Sequence, residues 1–186
     1  MPDLALSRRR AVRAIGPSAA LVAALSLTGA AAADPDPISA RPLTERHSFA
    51  GDVTVQLTQS LDGLERQEVA MDDASTLVVM EFTIQPGAVF PWHTHPGTVL
   101  ISLAQGELDF IFAEDCAVRQ ITPGTAMVDP GDAVHTARNP GDEPTIVIAT
   151  LLGAPAEGGL TIPVAAEEAT ALDERCAIET PGEHAH

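Results

Sequence analysis

Short runs that alternate between apolar and polar residues occupy most of the chain from residue 52 to residue 153. The first run, DVTVQLTQ, places Val53, Val55 and Leu57 on one side, which is the period-two pattern of a half-buried strand. A longer run, ASTLVVMEFTIQPG, predicts a strand that ends at Pro86-Gly87. Further strand-like runs alternate with turns rich in Gly and Pro: TVLISLAQG, ELDFIFAED, VRQITPG, TAMVDPGD, AVHTARNPGD and PTIVIATLLG.

This spacing of short strands, without a convincing helix between them, predicts an all-β sandwich or barrel. The one good helical window is AAEEATALDER, residues 165–175, so residues 165–186 are expected to form a short helix and a loose tail. Residues 34–50, which include DPDPISARP, are predicted to be a flexible lead-in. The domain itself is expected to span residues 51–164.

The first 33 residues have the order of a secretory signal peptide. Arg8, Arg9, Arg10 and Arg13 precede a small apolar stretch, and Ala31-Ala32-Ala33 provides a cleavage site near Ala33. A transmembrane anchor is the alternative, but a run of about 15 residues is shorter than the ~20 that a span needs. The paired arginines resemble a twin-arginine signal, and Sec export stays open. We therefore expect a secreted or periplasmic protein.

The chain is strongly acidic once this segment is removed. Loss of residues 1–33 takes away four arginines and one aspartate, so the formal net charge changes from −16 to −19. This charge argues against nucleic acid and anionic membrane surfaces as partners, and it leaves a small-molecule substrate or ligand. A homodimer is left open.

Two cysteines, Cys116 and Cys176, lie in polar, turn-like contexts. In an exported protein a disulfide between them is the default expectation, whereas in a cytosolic protein they would be unrelated thiols. Such a bridge would join the C-terminal segment to the domain.

Three histidines are the candidate metal ligands. Residues i and i+2 of a strand face the same side, so His93 and His95 can point together into a barrel. His135 follows its own Pro-Gly turn and begins another strand-like run. Neutral imidazoles that converge from two strands suit a divalent transition metal. An H-x-H pair alone does not establish a metal site, because packing or surface histidines give the same pattern.

The spacing of these histidines resembles the cupin superfamily. The first cupin motif, G-x5-H-x-H-x3-4-E-x6-G, is matched over residues 87–106 except at its glutamate. The second motif, G-x5-P-x-G-x2-H-x3-N, is matched over residues 124–139 by Gly124, Pro130, His135 and Asn139. The resemblance implies a double-stranded β-helix, or jelly-roll barrel, with a metal in its mouth.

Two positions depart from the motifs. Asp132 replaces a glycine of the second motif, where Asp is expected to tolerate a left-handed backbone. Val99 stands where the glutamate ligand is expected, and valine cannot coordinate a metal. The resemblance then implies a metal site of His93, His95 and His135, three neutral ligands. Glu81 is an alternative ligand only if its strand turns it inward, and a bare pocket without metal is the other alternative.

Three-histidine cupins include thiol, diketone and gentisate dioxygenases that use Fe(II). The resemblance therefore implies a small metal-dependent, dioxygenase-like oxidoreductase acting on an anionic or chelating organic substrate. The metal is expected to be Fe, Mn, Zn, Ni or Cu, with Fe(II) as the first choice. A non-catalytic sensor or binding protein and a metal-dependent isomerase or lyase are the alternatives. No catalytic residue can be assigned from the sequence.

The wall of the pocket is expected to be apolar, with lining residues Val99, Ile101, Phe82, Phe110 and Phe112. Trp92 neighbours His93 in the strand and is expected to point away from the metal. Arg138, three residues from His135, has the opposite parity, so we expect it to serve at the surface rather than as a clamp for a substrate carboxylate.

Overall fold

The computed structural model describes residues 35–179, and the strands within this range follow the predicted runs closely. Each run named above coincides with one strand, because alternation of apolar and polar residues fits a sheet with one face buried. The strands are β1 (Ile38–Pro42), β2 (His47–Ser48), β3 (Val55–Gln59), β4 (Gln67–Met71), β5 (Thr76–Ile84), β6 (His93–Thr94), β7 (Thr98–Gln105), β8 (Leu108–Phe112), β9 (Val118–Ile121), β10 (Ala126–Asp129), β11 (His135–Arg138), β12 (Thr145–Leu152) and β13 (Ile162–Pro163).

Two antiparallel sheets enclose the core. One has the strand order β1-β5-β12-β7-β10, with β2 also paired to β5, and the other has the order β13-β6-β11-β8-β9. Apolar side chains from both sheets form a single cluster, to which β5, β7, β8 and β12 contribute most. The predicted all-β jelly-roll fold is confirmed.

A separate two-stranded sheet, β3-β4, lies beside the open edge of β10. The side-chain amide of Gln59 donates to the carbonyl of Val128 at 2.6 Å and accepts from its backbone N–H at 2.7 Å. A single glutamine thus satisfies both backbone groups of one residue on an edge strand, which otherwise would need water or another strand.

The expectation of a flexible lead-in is wrong for residues 38–48. This segment contains β1 and β2, and β1 pairs with β5 in register, Ile38 opposite Ile84 and Arg41 opposite Glu81. Arg41 donates two hydrogen bonds to the Glu81 carboxylate at 2.7 and 2.8 Å. The pattern did not predict β1 because an edge strand with four exposed residues of five shows no apolar period.

The predicted C-terminal helix is confirmed as α1 (Ala166–Cys176). Leu172 of α1 packs with Trp92 and Ile111 in a second apolar cluster, on the outer face of the five-stranded sheet. Cys116 and Cys176 form a disulfide that fastens the end of α1 to the turn after β8. The predicted cysteine pairing is therefore present.

The predicted signal peptide lies outside the described residues, as do residues 180–186 of the predicted tail. Within residues 35–179, no helix has the length and apolarity that crossing a membrane requires.

Candidate metal centre

Two neighbouring strands bring the three histidines together. His93 on β6 and His135 on β11 are direct antiparallel partners, so their side chains project from the same face of the sheet. His95 lies just beyond β6, where its backbone N–H donates to the carbonyl of Gly131 at 2.7 Å. The first cupin-like motif therefore supplies two imidazoles, and the turn of the second motif positions one of them.

Each imidazole is fixed by a hydrogen bond from its Nδ1. His93 bonds the carbonyl of Pro91 at 2.7 Å, His95 that of Leu160 at 2.7 Å, and His135 that of Ala133 at 2.9 Å. A carbonyl only accepts, so each Nδ1 carries the proton and each neutral ring keeps its Nε2 lone pair free. Second partners of this kind orient metal-ligating histidines in general.

The three rings are in mutual contact. Ring centroids lie 4.2 Å apart for His93 and His135, 4.8 Å for His93 and His95, and 5.2 Å for His95 and His135. One ligand atom from each ring lies within 4.8 Å of the other two. Phe110 stacks on the His135 ring at 4.7 Å, which fixes the plane of that imidazole from the apolar side.

Burial keeps two of these rings neutral. It lowers the pKa of His93 from 6.5 to about 3, with a further lowering from the charge of a protonated His135. Burial likewise lowers the pKa of His135 to about 4. Both are therefore uncharged ligands at neutral pH, which is the form that binds a metal.

A carboxylate that the sequence reasoning did not consider lies against the histidines. Asp129, the last residue of β10, is fully buried. Its Oδ2 lies 3.5 Å from Nε2 of His95 and 3.4 Å from Nε2 of His135. Its Oδ1 accepts from the backbone N–H of Gly131 at 2.9 Å, whereas Oδ2 is buried without a hydrogen-bond partner. Burial raises the pKa of Asp129 to about 6, so it is mostly ionised at neutral pH.

The donor set fits a bound cation. Three Nε2 lone pairs converge, the Oδ2 atom of Asp129 lies beside two of them, and all three Nδ1 protons are already committed to carbonyls. Four acceptors without a proton between them repel one another, and a buried polar atom without a partner costs free energy. A divalent metal ion would satisfy the three imidazoles and would place a positive charge near the buried carboxylate, and imidazole with carboxylate is a common ligand set for such ions.

Backbone contact holds the two ligand-bearing turns together. A Cβ on Gly131 would lie 2.3 Å from the carbonyl oxygen of Gly97, so no side chain fits at that position. Gly131 also has a φ of +99°, whereas Asp132 has no positive φ. The expectation that Asp132 occupies a left-handed position is therefore wrong, because the preceding glycine takes that conformation.

An apolar cavity opens beside the histidines. It offers about 70 Å³ to water-sized occupants, which suits a small occupant. Apart from the histidines and Thr161, its lining residues are apolar: Phe82, Ile84, Phe90, Val99, Ile101, Leu108, Phe110, Ala137, Val147, Ala149, Leu151 and Leu160.

Four of the five predicted lining residues face this cavity: Phe82, Val99, Ile101 and Phe110. Phe112 does not line it. This ring lies directly opposite His135 in the strand register and packs under the Arg119 guanidinium, 5.5 Å from its centroid. Of the inward residues of β8, only Leu108 and Phe110 line the cavity, because Phe112 at the end of the strand lies beyond it.

The remaining candidates lie away from the histidines. Trp92 points to the outer cluster and donates from Nε1 to Asp173 at 2.7 Å, as its parity predicts. Arg138 pairs with Asp109, its neighbour on β8, at 3.0 Å. Glu81 bonds Arg41 on the outer side of β5, so it is not a substitute ligand.

Sequence reasoning missed Asp129 and Leu160. Asp129 reads as an ordinary turn residue before Pro130-Gly131, but it shares strand parity with buried Met127. An acidic residue at an inward position was therefore a usable signal. Leu160 acts through its carbonyl, and a backbone acceptor has no signature in a sequence.

Comparison with known proteins identifies the domain. The family model described as "Cupin domain" matches residues 80–151, which include all three histidines and Asp129. No curated protein sequence matches the chain.

Three solved structures are similar to the chain at low identity. The polyketide cyclase RemF from Streptomyces resistomycificus is 18% identical, with a TM-score of 0.42, over 48% of this chain and 61% of that one. A structure of the DMSP lyases RdDddP and RnDddQII is 22% identical, with a TM-score of 0.42, over 48% of this chain and 44% of that one. KdgF from Halomonas sp. is 18% identical, with a TM-score of 0.42, over 64% of this chain and 81% of that one.

The chain thus spans less than two thirds of the first two structures, and these likenesses carry no functional argument. The family match, the two motifs and the double-sheet fold agree with one another. Residues 80–151 of the chain are a cupin domain.

Proposed function

We propose that this cupin binds one divalent transition-metal ion and acts as a small metal-dependent oxidoreductase. The observation that carries the proposal is the convergence of three Nε2 lone pairs whose Nδ1 partners are all backbone carbonyls. Packing alone does not require three imidazoles to face one another at the edge of an apolar cavity. A metal site does require it.

A bound ion supplies a Lewis acid and, if it is iron, a redox centre. Imidazole ligands suit Fe, Mn, Zn, Ni and Cu, and Fe(II) is our first choice because dioxygenase-like chemistry needs a metal that reacts with O₂. The role of the chain is to hold the ion through His93, His95 and His135, and to keep bulk water away with the surrounding apolar wall.

The cavity indicates the kind of substrate. Its wall offers apolar side chains and Thr161, without a cationic residue to bind a carboxylate. We therefore propose a small organic molecule with an apolar body and one chelating head, such as a diketone, an enol or a thiol. The head would bind at the metal, and the body would be buried against residues such as Phe82 and Phe90.

The same wall bears on the type of reaction. A metal-dependent isomerase or lyase needs a group that moves a proton to or from the substrate. Among the described lining residues, the only side chains with an acid–base group are the three histidines, and these would be occupied by the metal. Chemistry at the metal itself therefore has better support than proton transfer. A non-catalytic binding protein would use the same site, and a turnover measurement separates the two.

We also propose that the protein works outside the cytoplasm. A basic and apolar leader that ends in Ala31-Ala32-Ala33 supports this proposal. The disulfide between Cys116 and Cys176 supports it independently, because such bonds persist in oxidising compartments.

The test is metal analysis of purified protein, followed by O₂ consumption with a panel of diketones, thiols and small acids. We expect one equivalent of metal in the parent, none in the double variant His93→Ala/His95→Ala, and one in His47→Ala. His47 is an exposed histidine on β2 and serves as the matched control. A double variant that keeps a full equivalent would place the metal elsewhere. Metal in the parent without O₂ uptake would favour the binding protein.

A further inference from the structure

Val99 occupies the glutamate position of the first motif, and an acidic residue lies directly beside it. Val99 on β7 and Asp129 on β10 are directly opposite each other in the antiparallel register. Directly opposed residues of two antiparallel strands project from the same face, with their Cβ atoms about 5 Å apart. The Asp129 side chain therefore starts beside the one that would have carried the glutamate, and it points the same way.

We propose that Asp129 is the fourth protein ligand of the metal. The carboxylate ligand would then come from β10, whereas the first motif places it on β7 at the position of Val99. This inference rests on the proposed metal site and goes beyond it by adding a charged ligand from a different strand. It also changes the chemistry of the site, because a carboxylate lowers the net charge of a divalent centre from +2 to +1.

The contacts of Asp129 support a ligand better than a structural side chain. Oδ1 is held by the backbone N–H of Gly131, which aims the carboxylate. Oδ2 is fully buried, has no hydrogen-bond partner, and lies 3.4–3.5 Å from two imidazole Nε2 atoms. A purely structural aspartate would be expected to use both oxygens, since a buried unpartnered oxygen costs free energy.

The alternative is that Asp129 accepts a proton from one of the two rings and no metal is involved. That arrangement needs a proton on Nε2 of His95 or His135. Each Nδ1 already donates to a backbone carbonyl, Leu160 for His95 and Ala133 for His135, so a second ring proton would make the ring cationic. For His135, which is 1% exposed, a buried cation is a costly form.

Zn²⁺ titration in competition with a coloured chelator tests the assignment, using the full mature chain. We expect Asp129→Asn to bind Zn²⁺ at least tenfold more weakly than the parent, because loss of even an indirect partner of a metal ligand costs 10- to 100-fold. Asp132→Asn makes the same charge change three residues later at an exposed position, and it should leave the affinity unchanged.

A carboxylate returned from the opposite strand should rescue the loss. The double variant Asp129→Asn/Val99→Glu is expected to recover most of the Zn²⁺ affinity, because the two positions are directly opposed and their side chains leave the same face of the sheet. Absence of recovery in a folded protein would overturn the equivalence of the two positions.

Thermal melts separate a ligand from a structural residue. If Asp129 is a ligand, the Asn variant should melt no lower than the parent with chelator present, but Zn²⁺ should raise its melting temperature much less. An equal loss of stability with and without Zn²⁺ would indicate a hydrogen-bonding role and overturn the inference.

The failure of this inference is distinct from the failure of the proposed function. Parent and Asp129→Asn proteins that bind Zn²⁺ equally, while His93→Ala/His95→Ala binds none, would overturn the ligand and leave the metal site intact. A parent that binds no Zn²⁺ would overturn both.

Discussion

The side chain at position 99 determines whether this part of the cavity wall is apolar or can bind a cation. Val99 is buried, lines the cavity, and faces the same side as Asp129 across the β7-β10 pair. A valine here keeps that part of the wall apolar. Its replacement by an acid should therefore reveal whether a cation is present.

We expect Val99→Glu to make folding depend strongly on metal. Without metal, a second buried carboxylate directly opposite Asp129 should cost about 3 kcal/mol or more in the free energy of unfolding. With metal, Coulomb attraction in a partly dry site should recover most of that loss. Thermal melts with and without a chelator measure the difference, and Val99→Gln is the control with equal size and no charge. If chelator shifts the variant and the parent equally, Val99 does not face a metal.

The buried histidines predict how the metal-free protein responds to acid. The folded pKa values of His93 and His135, about 3 and 4, lie below their ordinary value of 6.5. The unfolded chain therefore binds these protons first, and the stability gained above pH 6.5 is lost as the pH falls toward 4. Asp129 has the opposite sign, since its folded pKa of about 6 makes its protonation favour the folded state between pH 6 and 3.8. Because two histidines lower the stability on acidification and one aspartate raises it, the free energy of unfolding should decrease overall as the pH falls.

Urea unfolding in the presence of chelator, from pH 7 to pH 4, checks this expectation. The free energy of unfolding should fall with decreasing pH, and His135→Gln should show a shallower fall because one titrating group is gone. A flat profile for the parent would show that the histidines are not buried as the structure has them.

The sequence predicted the histidines of the site but not its carboxylate. His93, His95 and His135 were predictable because strand parity and the spacing of two motifs agree on them. Asp129 was not, since a residue before Pro-Gly is ordinary in a turn, and only the register of β10 against β7 shows which way it faces. Register between distant strands depends on the whole sheet, which a local pattern does not contain.

At the scale of elements, buried strands were predictable and edge strands were not. β5, β7 and β12 have alternating or continuous apolar residues, because each lies between two other strands of the sheet and buries one face in the core. β1 and β13 are mostly exposed, and their pairing depends on what lies beside them. Helix α1 was recognisable from its composition, but the surface it covers was not, because Trp92 and Leu172 are 80 residues apart in the chain.

The disulfide should matter for α1 more than for the sheets. Its partners are separated by 60 residues, and closure of a loop of that length is worth about 4 kcal/mol on the chain-entropy model. We expect Cys116→Ser/Cys176→Ser to unfold at lower urea and to loosen α1 from the sheet.

Trp92 reports on this loosening directly. It is the single tryptophan of the chain, is 2% exposed, and donates to Asp173 on α1. Its fluorescence should shift to longer wavelength in the double serine variant below the unfolding transition, with the Zn²⁺ stoichiometry as a control for the site. Unchanged emission would show that packing holds α1 without the bridge.

For the whole molecule, the net charge and the cavity both bear on the proposal of a small ligand. A formal net charge of −16 for the full chain disfavours polyanionic partners. The apolar wall of the cavity favours a compact ligand of low charge. The net charge and the apolar wall are therefore both consistent with the small ligand that we propose.

The pairing of β1 with β5 has a consequence for self-association. The family match begins at residue 80 and the sequence places the domain start near residue 51, but the folded sheet starts at Ile38. A protein that begins at Gly51 would leave the nine-residue strand β5 with an unpaired row of backbone groups, which invites pairing with another chain. We expect it to form dimers or larger aggregates, whereas a protein that begins at Pro35 stays monodisperse at equal concentration. Light scattering after size-exclusion chromatography measures the size of both proteins. If the two are equally monodisperse, pairing of β1 with β5 does not prevent self-association.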